Sequence, residues 1–198
     1  MAPRSLFGIL FFLVLIVSIP VLSGEPTEQI RETSDKIIAI VSNHDLNRTD
    51  RAEEKRQLIR QAVDERFKWD EMCRRALGRH WVKRTQEEKK EFRDLFAKLL
   101  ERTYLEKVEG YSGEEVIYEG ETIDGKYAVV KVEIVTQKKT DIPVHYKVVK
   151  DGNQWFIYDI SVNGISLINN YRAQFNSIIV KSSYEDLIDK LRLKVSED

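Results

Sequence analysis

The chain has 198 residues, 42% hydrophobic and 33% charged, which is the composition of one globular domain, or of one domain with an appendage, and excludes a multidomain enzyme, a disordered chain or a fibre. Thirty-two Lys and Arg against 33 Asp and Glu leave a formal charge of −1, so no global charge draws the protein to nucleic acid or to an anionic membrane. Cys73 and the three histidines His44, His80 and His145 supply no CxxC pair, disulfide framework or four-ligand zinc site, and no metal or cofactor is expected.

Residues 6–22 are apolar apart from Gly8, Ser18 and Pro20, follow a start carrying Arg4, and end in the small residues Ser23 and Gly24. That is the pattern of a cleavable secretory signal peptide, at the short limit for a membrane span. In Leu22-Ser23-Gly24-Glu25, Glu25 stands where a lipid-modified Cys would be needed, so the exported chain is expected to be soluble. The expected organisation is a signal peptide at 1–23 and a single domain at 24–198.

Within that domain, Ile30, Ile37, Ile38 and Val41 recur at helical spacing over 25–43. A second helix is predicted from Asp50, which has Glu53 three residues on as in a capping box and the stripe Leu58, Ile59, Ala62 and Val63 beyond. A short helix over 70–77 stops at Gly78. The longest helix opens with the capping box Thr85-Gln86-Glu87-Glu88 and runs to about 109, with Phe92, Phe96, Leu99, Leu100 and Tyr104 on a wide apolar face.

After Gly110 the period changes to two. Strands are predicted over 114–123, 127–137, 142–150 and 154–162, with the turns Asp124-Gly125 and Asp151-Gly152 among the connections. Asn163-Gly164 is read as opening a helix that carries Ile168, Tyr171, Arg172, Phe175 and Ile179, and a last helix covers 184–193. The expected fold is α+β: a twisted four-stranded antiparallel meander wrapped by N-terminal and C-terminal helices. Both alternating sets of Trp155-Phe156-Ile157-Tyr158-Asp159-Ile160 are largely apolar, so both faces of the sheet should be covered.

Two blocks carry a family resemblance. Met72 to Trp81, with residues 85–96 and Glu101-Arg102-Thr103-Tyr104, form the first; Tyr158-Asp159-Ile160-Ser161-Val162-Asn163-Gly164-Ile165-Ser166-Leu167-Ile168 with Tyr171 to Phe175 form the second. In this order after a signal peptide they resemble the MlaC family, the periplasmic phospholipid-binding components of the Mla pathway, also called toluene-tolerance auxiliary components. Asn163 and Lys147 depart from that pattern, where an acidic residue and Arg are expected. The resemblance implies a fold similar to nuclear-transport-factor-like proteins, with an apolar pocket. It implies a monomeric periplasmic shuttle that carries phospholipid between an inner-membrane ABC transporter bearing an MCE-domain ring and an outer-membrane lipoprotein complex, with no nucleic-acid partner.

For such a carrier the expected lining is Val130, Val132, Ile134, Tyr146, Val148, Phe156 and Tyr158 from the strands, with Phe96, Leu99, Leu100, Tyr104 and Phe175 from the helices. Lys147, Arg172 and Arg79 are the candidates beside a headgroup phosphate. A carrier of another apolar ligand such as a hopanoid, and an envelope adaptor that binds no lipid, are the alternatives. No GxSxG, HExxH, Walker or Rossmann pattern is present, so no catalytic residue is assigned and the chain is not expected to be an enzyme.

Overall fold

The computed structural model describes residues 24–196; the signal peptide expected at 1–23 lies outside them. Four helices come first: α1 (Glu25–Val41), α2 (Ala52–Asp64), α3 (Trp69–Leu77) and α4 (Gln86–Glu109). Strands β1 (Glu115–Asp124), β2 (Tyr127–Val135), β3 (Asp141–Asp151), β4 (Gln154–Val162) and β5 (Ile165–Ser166) follow, and α5 (Leu167–Lys181) and α6 (Tyr184–Ser196) close the chain. The sheet is an antiparallel meander in the order β1-β2-β3-β4-β5.

The capping box forms as read: Thr85 Oγ accepts from the Glu88 N–H at 3.2 Å, and Glu88 Oε2 accepts from the Thr85 N–H at 2.7 Å. The cap expected from Asp50 does not form. The Arg48 guanidinium takes that carboxylate in two bonds of 3.1 and 3.2 Å, Thr49–Arg51 becomes a 3-10 turn, and α2 starts at Ala52 without a side-chain cap.

The expected four strands become five. Asn163 and Gly164 have φ of +51° and +79°, so they make a hairpin turn that pairs Val162 with Ile165 instead of opening a helix. Two successive residues at positive φ are what an Asn-Gly hairpin requires. The helix begins only at Leu167, capped by Ser166 Oγ, which accepts from the Asn169 N–H at 3.1 Å.

Both faces of the sheet are covered. On one, α1 lies across β1, β2 and β4, placing Ile30 against Ala128, Val130, Val132, Val144, Val148, Trp155 and Ile157. On the other, α3 and α5 pack on β4, and with α4 and α6 they build a helical core in which the rings of Phe92, Phe96, Tyr171 and Phe175 meet at 5.2–5.6 Å.

Arg66, just past α2, ties these parts together. Its guanidinium donates to Thr33 Oγ1 and Gln29 Oε1 on α1 (both 2.9 Å) and to the Trp155 carbonyl on β4 (3.0 Å). Its carbonyl accepts from the Ile157 N–H, and the Lys68 N–H donates to the Ile157 carbonyl, both at 2.8 Å, so the segment also covers the edge of β4.

Candidate functional site

The cross-strand register sorts the sheet side chains into rows. On the α1 face, Val116, Ile134 and Ile142 form one row, Tyr118, Val132, Val144 and Val162 a second, and Val130, Tyr146 and Ile160 a third, with Ala128, Val148 and Ile157 beyond. The last row and its neighbours Val130, Val132 and Val144 are buried under α1. Towards the other end of the strands burial is incomplete: Val116, Tyr118, Ile134, Ile142, Tyr146 and Ile160 keep part of their surface accessible, and the row ends at Val162, 42% exposed, and Ile165, 68% exposed. Helix α4 packs on α3 and α6 and reaches α2 through Arg60–Glu101, so its main contacts are not with the sheet.

Two phenols and the carboxylate of Glu121, which lies opposite Val130, are polar groups of this wall. Tyr146 is only half-buried as a residue, yet burial, with Tyr118 beside it, pushes its hydroxyl up to about 12. Burial also raises Tyr118, whose Oη lies near Ser34 but completes no hydrogen bond, while the Arg31 guanidinium sits 4.0 Å from its ring centre. Apolar surface left accessible on a wall with few polar groups suits an apolar ligand. Two open grooves elsewhere among the described residues differ: one, of about 430 Å³, is lined by Gln57, Arg60, Gln61, Asp64 and Glu65, and another, of about 380 Å³, lies among Glu87, Lys90, Glu91 and Asp94 of α4.

The residues expected to line one pocket are divided between the two faces. Val130, Val132 and Val148 are fully buried on the α1 face, and Ile134 and Tyr146 are part of its accessible end. Phe96, Leu99, Leu100, Tyr158 and Phe175 belong to the helical core on the opposite side, with Tyr104 at its margin, where burial and Tyr171 raise the phenol. Phe156 lies under the Lys68 ammonium, 4.8 Å from the ring centre. The division has a local cause. Val148 pairs with Ile157 but Lys147 pairs with Asp159, so Tyr158 is an extra bulged residue and the alternation of β4 reverses there. Val116, Tyr118, Ile142 and Ile160 were not among the expected lining: register shifts at Tyr118/Gly120 and Lys147/Val148 separate Val116, Tyr118 and Ile160 from the Asp-Gly turns, and Ile142 pairs across the β2–β3 connection, so neither turn places them opposite Val132, Ile134 and Tyr146.

The three candidate headgroup cations also separate. Lys147 donates at 3.0 Å to Asp159, which is 4% exposed and accepts in addition from Ser166 Oγ at 2.7 Å and the Ile168 N–H at 3.1 Å. That carboxylate joins β3, β4 and the start of α5, and its acceptor capacity is used structurally. Arg79 and Arg172 are exposed and lie together beyond the helical core: Arg79 donates to Asn176 Oδ1 at 3.4 Å, and the Arg172 guanidinium rests so close to Gly78 that a Cβ there would be 3.1 Å from Nε. Cys73 is buried, and desolvation drives its thiol far above the ordinary range, which makes it inert.

Comparison with known proteins places this geometry. The family described as "MlaC protein" matches residues 31–193. The "Intermembrane phospholipid transport system binding protein MlaC" of Haemophilus influenzae is 23% identical over 128 residues, 62% of this chain and 60% of that protein, so the match spans about three-fifths of that relative's length. A solved structure of a phospholipid-binding protein from Ralstonia solanacearum, in complex with a phospholipid, superposes with a TM-score of 0.79 at 25% identity, covering 87% of this chain and 98% of that one.

Proposed function

The chain belongs to the MlaC family, and from that premise we propose that it is a phospholipid carrier which buries acyl chains against the accessible end of the α1 face and performs no chemistry on them. The observation that carries this reading is the run of incompletely buried apolar side chains from Val116 through Ile134, Ile142, Tyr146 and Ile160 to Val162 and Ile165. The phospholipid complex of the structural neighbour supports the choice of ligand, and the matches do not favour the hopanoid or adaptor readings.

The physical demand on such a carrier is severe. Each methylene removed from water is worth about 0.8 kcal/mol, so leaving two acyl chains exposed costs on the order of 20 kcal/mol. Escape into water is therefore negligible, whereas exchange with a membrane moves the chains between two apolar media and is near balance. A wall that is apolar and only partly covered by α1 suits that exchange. The carrier works in the periplasm, between an inner-membrane ABC transporter with an MCE-domain ring and an outer-membrane lipoprotein complex, as membership of the family implies.

The test is transfer of a fluorescent phospholipid from donor to acceptor vesicles. The rate is expected to rise in proportion to protein concentration; a rate equal to that without protein contradicts the reading.

A further inference from the structure

Glu121 stands out on the α1 face. Between Tyr118 and Gly120 the register of β1 against β2 shifts, and Gly120 has φ of +110°. The extra residue turns Glu121 towards α1, opposite Val130, where unbroken alternation would leave it facing away. A carboxylate has thus been re-aimed onto an otherwise apolar face, at the N-terminus of α1. There it acts as a remote cap. Gly24, the N-cap residue, has no side chain, Pro26 has no N–H, and Glu121 Oε2 accepts from the Thr27 N–H at 3.1 Å and from the fully buried Thr27 hydroxyl.

Both donors are neutral, and among the described residues no cation pairs with Glu121. The other charged groups at this end are engaged: Glu25 with Lys150 at 2.9 Å, Glu28 with Arg31 at 3.6 Å, and Lys126 over the Tyr127 ring at 5.5 Å. The second carboxylate oxygen, Oε1, lies 1.5 Å from where a Cβ on Gly24 would sit. A backbone nitrogen and its own Cβ are about 2.5 Å apart, so Oε1 is within about 4 Å of the Gly24 nitrogen. In a continuous chain that nitrogen is an amide. A cut before Gly24 makes it an ammonium within ion-pair reach of an unpaired carboxylate.

We propose that the chain is processed between Ser23 and Gly24, and that the new α-ammonium of Gly24 pairs with Glu121 and fastens α1 across the sheet. Hydrolysis of that one peptide bond leaves a carboxylate on Ser23 and an amine on Gly24, which is protonated at neutral pH. The geometry distinguishes this bond from the next. A cut after Gly24 removes the residue whose carbonyl accepts from the Glu28 N–H at 3.1 Å, and with it the nitrogen that lies beside Oε1. An ammonium at a helix N-terminus is repelled by the helix dipole, and the same carboxylate offsets that repulsion. Fastening completes only after export, so the precursor holds α1 less firmly than the processed chain.

The experiment begins with the full chain expressed with its leader in a Gram-negative host and an intact-mass measurement of the exported protein, expected to start at Gly24. Thermal midpoints are then compared for this protein, for a form whose α-amine is acetylated, for Glu121→Gln, which keeps an acceptor for Thr27, and for both changes combined. Near pH 6.5 each single change is expected to lower the midpoint by about 3 °C, and the two together by no more than one alone. An ion pair raises the amine above its ordinary value of about 7.7–8, so its contribution is complete below that value and lost as pH rises through the raised one. The gap between free and acetylated forms should therefore close near pH 10. A mature chain starting anywhere but Gly24, or an acetylated form as stable as the free one near pH 6.5, overturns the proposal; should Glu121→Gln fail to fold, the acetylated comparison still decides.

Discussion

Ile160→Glu tests where the acyl chains lie. Ile160 is half-buried, pairs across the sheet with Tyr146, and belongs to the accessible end of the α1 face. A carboxylate there meets solvent in the free protein, so folding should change by no more than about 1 kcal/mol. With lipid present the carboxylate must be desolvated or the chain must retract. If about four methylenes lose their cover at about 0.8 kcal/mol each, binding weakens by about 3 kcal/mol, or about 200-fold. The control is Val148→Glu on the same face, where the side chain is fully buried against Ile157 and Ala128. There an unpaired buried charge costs several kcal/mol of stability, a large share of the total for a domain of this size. Urea unfolding measures the first quantity, and lipid co-purified from the periplasm measures the second. A folded Ile160→Glu protein with undiminished lipid content would refute the placement of the acyl chains.

Other side chains carry outcomes of their own. Asp159→Asn should lower stability by about 1–3 kcal/mol in urea, because it removes the counter-charge of the partly exposed Lys147 and weakens the bonds that join β3, β4 and α5; an unchanged midpoint would show that the network is dispensable. Tyr118→Phe removes a buried hydroxyl with no hydrogen bond and should stabilise the protein by about 1 kcal/mol, checked in the same assay. Gly78→Ala places a Cβ at φ +53° beside the Arg172 guanidinium and should cost about 1–3 kcal/mol. Cys73, buried and with its thiol shifted upward, should stay unmodified by a thiol reagent at about pH 8 until urea unfolds the chain.

Local chemistry made much of the fold legible. The Thr85–Glu88 box, the apolar face of α4 and the Asp-Gly turns act within a few residues, and β4 runs from Gln154 to Val162 as its pattern predicts. What stayed hidden depends on partners distant in sequence or on competition between neighbours. Arg48 captures Asp50 before it can cap α2. The Asn163-Gly164 hairpin was masked by the helical spacing that starts a few residues later, although the dipeptide itself signals such a turn. Alternation alone put Tyr158 and Val148 on one wall, and the bulge between Lys147 and Val148 separates them. The bulge before Gly120 likewise brings Glu121 to the first turn of α1, a contact across 94 residues of chain.

The carrier reading is tested most directly by native mass spectrometry of the exported protein purified without detergent, followed by extraction and identification of whatever it holds. A near-stoichiometric phospholipid adduct is the predicted result. A ligand-free mass that takes up no lipid from vesicles would contradict the account.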